Sequence, residues 1–185
     1  MNKRTNLSDA ETRRDAIVEA AVTVFAERGY GSTPVTEVAA KAGISQAYVF
    51  KLFPTKEQLF LAAIARCYER IEATMAAAAD AAPDRSPGGV LDAMGDAYAR
   101  LIADRDLLML QVHAQGATDM PSVRDAVRDG MARVLRLARQ KSGADAHALQ
   151  KFIAWGQLCH LAVTLDIVDA EDDWAKVLTA GLRHY

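Results

Sequence analysis

The sequence predicts an all-α fold of about nine helices. Three observations carry that prediction. Apolar residues recur at the helical period in nearly every segment, Gly, Pro and Ser/Thr fall where helices start and stop, and alternating Val/Ile/Thr runs long enough for strands are missing.

In chain order, Ile17, Ala20, Ala21, Val24 and Phe25 line one face of a first helix, with Thr12 placed to cap its start and Gly29 to end it. After a Gly/Ser/Thr/Pro connection at 29–34, Pro34 opens a short second helix to about Ala42, which Gly43 breaks. Ser45 caps a third helix to about Phe53, and Pro54 stops it. Thr55 and Gln58 have capping-box spacing at the start of a long helix that runs to about Ala82, ahead of Pro83. The segment "AAPDRSPGG" (81–89) reads as a linker, with Pro87 at the next helix start. Further helices are expected over about 88–103, 105–116, 121–141, 145–168 and 171–184. The run "AAAA" (76–79) is helix propensity.

A chain of 185 residues, 51% apolar, can bury one substantial core and allows one or two domains. The start, Met1-Asn2-Lys3-Arg4, has no apolar leader region, and no run of about 18 apolar residues could span a bilayer, so a cytoplasmic protein is expected. Cys67 and Cys159 sit far apart in apolar helical surroundings, which points to buried reduced thiols. The net charge of −2 leaves nucleic acid open, because charge distribution matters more than its sum. Residues 1–57 hold eight Lys/Arg against seven Asp/Glu. Locally, Lys51 and Lys56 have no acid between Ser45 and Lys56, and the N-terminal arm carries Lys3, Arg4, Arg13 and Arg14.

Residues 34–53 have the spacing of a helix-turn-helix. Two short helices that cross steeply need a small residue where they touch, a glycine at the turn, and apolar residues toward a third helix. Ala39, Gly43, and the set Val38, Ala42, Ile44, Val49 and Leu52 supply these. Ser45, Gln46, Ala47, Tyr48, Phe50 and Lys51 are left to face outward. The major groove of B-DNA admits one helix, whose N-terminal residues meet base edges. Gln46 suits adenine N6/N7, and Tyr48 suits a thymine methyl or a base edge. Lys51, with the hydroxyls of Thr36 and Ser45, is placed for phosphates, and Lys56 adds charge to a helix N-terminus, a second phosphate position. Taken alone, Phe50 and Phe53 also read as core aromatics, and the two lysines as solvated charges.

The stretch "TRRDAIVEAAVTVFAERGYGSTPVTEVAAKAGISQAYVFKLFPTKEQLF" resembles the DNA-binding domain of TetR-family transcriptional regulators. Three helices, the A-x-x-x-G turn, the F-x-x-F pair and the T-K-E-Q-L helix start fall in the family order over about residues 11–71. The resemblance implies an all-α homodimer that reads a palindromic operator, with residues 72–185 forming the dimer and a small-molecule pocket. Phe50 stands where members commonly carry a Tyr whose hydroxyl meets a phosphate, so it is carried over as an apolar backbone contact. Leu52 stands where His or Tyr is common, and the bulky Tyr48 replaces a frequently small residue, which implies a different base preference.

Beyond residue 71 the residues say less. Leu149, Phe152, Ile153, Gly156, Cys159, His160, Val163 and Ile167 form one broad apolar face, and Trp174, Val177, Leu178, Gly181 and Leu182 another. Two such helices from each of two chains would make a four-helix interface, with Gly156 and Gly181 permitting close approach; alternatively these stripes close the core of a single chain. For an effector pocket, Tyr98, Met109, Gln111, His113, Trp155 and Gln157 are the candidates. No H-E-x-x-H, G-x-S-x-G, GxxxxGK[ST] or GxGxxG occurs, and His113, His147, His160 and His184 lack metal-ligand spacing. Neither enzyme activity, cofactor nor metal is expected. The sequence reading is therefore a DNA-binding transcriptional regulator, a repressor released by a small effector, in which the long helix carries the movement. A dimeric helical scaffold that has lost DNA binding is the alternative.

Overall fold

A computed structural model describes residues 3–182, with side chains from Ala10 onward. The side chains of Lys3 and Arg4, and His184, lie outside the described residues. Within that range the chain is all-helical: α1 (Lys3–Ser32), α2 (Val35–Ala42), α3 (Gln46–Leu52), α4 (Lys56–Ala81), α5 (Pro87–Ile102), α6 (Arg105–Gly116), α7 (Pro121–Ser142), α8 (Ala146–Thr164) and α9 (Asp173–Thr179). No described helix is long and apolar enough to cross a membrane.

Most boundaries follow from local chemistry. Gly43 adopts φ 65°, the left-handed conformation that side chains disfavour, so the Ile44 N–H donates to the Ala39 carbonyl at 3.0 Å and α2 ends. The hydroxyls of Ser45, Thr55 and Ser86, and the Asp145 carboxylate, each accept a first-turn N–H, capping α3, α4, α5 and α8. Three ends differ from the sequence expectation, one of them that of α8, which stops at Thr164 instead of about residue 168. Helix α1 begins well before Thr12, which is therefore a helix-interior residue, while Gly29 (φ 70°) kinks the chain inside the helical stretch. Helix α9 stops at Thr179, and Gly181 at φ 78° turns the chain beyond it.

The chain forms two compact units, one running to Cys67 with Met109–Val127 added, the other Tyr68–Leu108 with Arg128 onward. In the first, Ile17, Ala21, Phe25, Val38, Val49, Phe53, Leu59 and Phe60 form the core. Phe25 and Phe60 meet edge to face at 4.8 Å. The buried Thr33 donates to the Gly29 carbonyl at 2.7 Å, so the corner between α1 and α2 leaves its polar group satisfied. The α6–α7 corner is tied in by Ser122, whose hydroxyl donates to Glu57 at 2.5 Å in the first turn of α4.

In the second unit Ile71, Met75, Val90, Met94, Ile102, Leu108, Val134 and Ala138 are buried. Helices α4 and α7 touch where Gly130 lies under the Tyr68 ring, so closely that an added Cβ would stand 2.3 Å from a ring carbon. A smaller cluster of Ala162, Ile167 and Ala175, flanked by Leu178 and Leu182, seats α9 on the end of α8.

Candidate nucleic-acid interface

Helix α3 owes its position to its inward face. Val49 is fully buried and Phe53 is 2% exposed, whereas Gln46, Ala47 and Lys51 are exposed, Tyr48 is half-buried and Phe50 is 39% exposed. Of the two aromatics, Phe53 belongs to the core, and Phe50 is available for the apolar contact assigned to it. Each of these two buried apolar side chains contributes roughly 1.5–3 kcal/mol, enough to hold a seven-residue helix that could not persist alone. Thr36 is exposed on α2, and Ser45 is exposed while its Oγ accepts the Tyr48 N–H at 3.3 Å.

Cations from α1 brace α3. Arg14 donates to the Leu52 carbonyl at 3.3 Å and lies 4.3 Å from the Phe53 ring centroid. That answers one of the unsatisfied carbonyls at the C-terminus of α3 with a positive charge, where the helix dipole favours it. Arg13 lies 5.6 Å from the Tyr48 ring centroid, and Lys51 5.7 Å from the same ring. Arg66 of α4 donates to Asp15 at 2.8 Å and also to Glu19, joining α4 to α1. Its pKa is raised, first by the hydrogen bond to Asp15 and further by Glu19, against a burial cost. Arg28 pairs with Glu37 at 2.7 Å, linking the end of α1 to α2.

Lys56 is placed differently from expectation. Its ammonium donates to the Gly31 carbonyl at 3.3 Å and sits 4.8 Å from the Tyr30 ring, half-buried, with its pKa lowered by desolvation. The charge closes the corner after α1, so Lys51 is the solvated lysine and Lys56 the structural one. No local signal marks Arg13, Arg14 or Arg66 as braces, because the partners of Arg14 and Arg66 lie 38 and 51 residues away and only packing brings them together.

The effector candidates are divided between the two units. Met109, Gln111 and His113 belong to the first unit, and Tyr98, Trp155 and Gln157 to the second. Tyr98 and Gln111 are buried, while Trp155 and Gln157 point to solvent. These two exposed residues cannot line an enclosed pocket within the chain. A cleft of about 570 Å³ in the first unit is lined by Arg28, Tyr30, Val112, His113, Asp119 and Met120, among others. His113 lines it and packs on Gly29, where an added Cβ would be 2.8 Å from Nδ1.

The interface candidates also divide. Leu149 and His160 are buried in their own chain, His160 with Nε2 at 3.4 Å from the Leu108 carbonyl. Gly156 faces Tyr98 and Phe152 lies against Gly95, so α8 turns much of its predicted face toward α5. Ile153 and Val163 are half-buried. The face left open carries Trp155 and Leu161 on α8, Leu165 just beyond its end, and Trp174 and Val177 on α9; Gly181 is exposed beside Trp155 and Leu178 packs inward. Cys67 and Cys159 are buried and joined in no disulfide, and burial pushes the Cys159 thiol up. Among the described residues no three His, Cys, Asp or Glu side chains stand where they could share a metal ion.

Together, α2, the glycine turn and an outward-facing α3 carried on α1 and α4 define a helix-turn-helix protein. Residues 17–63 match the sequence model of bacterial regulatory proteins of the tetR family. It is 35% identical over 65 residues to the HTH-type transcriptional activator FasR of Mycolicibacterium smegmatis; the match takes in 35% of this chain and spans only 30% of that relative's length. Over nearly its whole length the fold resembles that of a TetR-like transcriptional regulator from Rhodococcus sp. RHA1, with 25% identity, a TM-score of 0.65, and 91% and 92% of the two chains covered. It also resembles the transcriptional regulator FadR from Bacillus subtilis, solved in complex with stearoyl-CoA, with 18% identity, a TM-score of 0.68, and coverage of 92% and 100%.

Proposed function

We propose that the protein is a sequence-specific DNA-binding transcriptional regulator, a homodimeric repressor whose operator affinity falls when a small molecule binds. The observation that carries this reading is α3: a capped helix pinned from behind by Val49 and Phe53, with Gln46, Ala47, Tyr48, Phe50 and Lys51 on the side away from the core. Gln46 and Tyr48 read base edges, Phe50 lies along the backbone, and Thr36, Ser45 and Lys51 hold phosphates. Residues 11–71 are the DNA-binding domain and 72–185 serve dimerisation and effector binding. Lys56 supports the reading helix indirectly, through the Gly31 carbonyl.

A pair of reading helices addresses two half-sites about 34–36 Å apart, so a dimer is required. The exposed apolar side chains of α8 and α9 supply a surface for a second copy, centred on Trp174 and Val177. The effector acts by preferring the form whose reading helices no longer match that spacing, and α4 carries the change because one unbroken helix supplies residues to both compact units.

The test is a fluorescence-anisotropy titration against the DNA upstream of the protein's own gene and against random DNA, at two salt concentrations. Tight, selective and salt-sensitive binding is expected. Binding with no sequence preference would sink the reading in favour of a helical scaffold. Stearoyl-CoA is the first effector to add, since a protein of this fold holds it.

A further inference from the structure

Two consecutive arginines of α1 treat the reading helix in different ways. Arg14 is spent on the main chain: it donates to the Leu52 carbonyl and stacks on Phe53, so it fixes where α3 ends. Arg13 instead lies over the ring of Tyr48, a side chain on the reading face. We infer that Arg13 is a specificity-positioning residue, which holds the Tyr48 ring in the orientation that aims its phenol at a base edge. This rests on the DNA-reading role proposed above and deepens it.

Tyr48 has only two side-chain torsions, and its backbone is already fixed, with its N–H on Ser45 Oγ at the N-cap. What remains free is the choice among staggered χ1 positions. Lys51, 5.7 Å from the ring, sits one turn further along the same helix and travels with it. Arg13 comes from a different helix, so its contact at 5.6 Å fixes the ring relative to the domain rather than relative to α3 alone. A cation held by a ring face leaves the phenolic O–H, which lies in the ring plane, able to donate or accept at a base edge. The planar guanidinium suits this better than an ammonium, because it combines stacking with charge. A contact of this kind at an exposed site corresponds to about a two- to fivefold effect on an equilibrium, which would appear as discrimination at the base pair Tyr48 meets.

The test selects binding sites from a randomised duplex library with the full-length wild type, R13A, R13K, Y48A and the R13A/Y48A double variant. The expected result is that R13A relaxes preference at the same base pair as Y48A, by about two- to fivefold. R13K should restore part of that preference, and R13A should add no relaxation once Tyr48 is gone. Arg13 is exposed, so the variants should melt as the wild type does. A uniform loss on every sequence, with the salt slope reduced by about one and the same size with or without Tyr48, would make Arg13 a phosphate contact and overturn the inference. A wild type that selects no sequence would instead overturn the DNA-reading role and the inference together, so the two failures are told apart by the wild-type arm.

Discussion

The helix-turn-helix and the α8–α9 region handle their apolar residues in opposite ways. Around α3 the large aromatics Phe25, Phe53 and Phe60 are closed within the chain, and its exposed aromatic, Phe50, sits among polar neighbours on one helix. On α8 and α9, Trp155 is 48% exposed, Trp174 55% and Val177 76%, with Leu161 and Leu165 open as well. The first arrangement is a finished core that presents a polar face; the second is half a core. Surface that apolar is costly to leave in water, which supports the second-copy interface proposed above.

The largest effect expected from that difference follows from charging the open face. Trp174→Asp with Val177→Asp should convert a dimer to monomers, weakening self-association by at least about 30-fold, the equivalent of a single interface hot spot of about 2 kcal/mol. Sedimentation equilibrium measures it, with far-UV circular dichroism expected to stay unchanged because both side chains already face solvent. A wild type that is monomeric at micromolar concentration would break the contrast outright. The companion substitution Leu149→Asp, at a buried position, should unfold the chain rather than dissociate it.

Next in size is a contrast between two glycines of the second unit. Gly130→Ala forces a methyl into the buried Tyr68 ring and should cost about 1–3 kcal/mol, read from chemical denaturation. In Gly156→Ala the methyl would meet Tyr98 at 3.9 Å, an ordinary contact, so helix propensity should leave stability unchanged or raised by up to about 1 kcal/mol. Equal costs would mean that Gly156 lies at a chain–chain contact tighter than its contact with Tyr98.

Why the two regions were unequally legible in the sequence follows from the range of the forces that build them. Gly43, Ser45, Thr55, Pro87 and Asp145 act within one turn of where they stand, so spacing alone locates the helix ends they make. A helix face is another matter. The periodicity of α8 shows that Leu149, Phe152, Gly156 and His160 share a stripe, but not what covers it; α5 meets Phe152 and Gly156, and His160 reaches the Leu108 carbonyl of α6. The open side of α8 has Lys151 and Gln150 among its apolar residues, which diluted the pattern there. The Lys56 contact was illegible for the same reason: its carbonyl partner lies 25 residues upstream, and no local rule pairs a lysine at a helix start with the corner that ends α1.

A pH titration sharpens the burial of His160. Burial lowers its pKa, with the contact to the Leu108 carbonyl a smaller opposing influence. The unfolded chain therefore takes up this proton at a higher pH than the folded one, so stability is complete above about pH 6.5 and falls as the pH drops from there toward the folded pKa. His160→Gln should flatten that slope in urea melts across pH 7.5 to 5, whatever it does to stability at pH 7.5. An unchanged slope would mean His160 is hydrated, on the open side of α8 after all.

The smallest expected effect separates the two lysines that bracket the end of α3. Lys51 is exposed, so Lys51→Ala should weaken binding to every DNA sequence by a few fold, lower the salt slope by about one and leave the melting temperature within the range of ordinary surface changes. Lys56 spends its charge on the Gly31 carbonyl and the Tyr30 ring. Lys56→Met keeps the length of the stem and loses the donor, so it should lower stability by about 1 kcal/mol while the salt slope stays near that of the wild type. Because the corner it closes carries α2, DNA affinity should fall along with stability and recover when the domain is stabilised elsewhere. A salt slope reduced equally by both substitutions would return Lys56 to the phosphate contact that the sequence alone suggested, and would require its ammonium to leave Gly31 when DNA arrives.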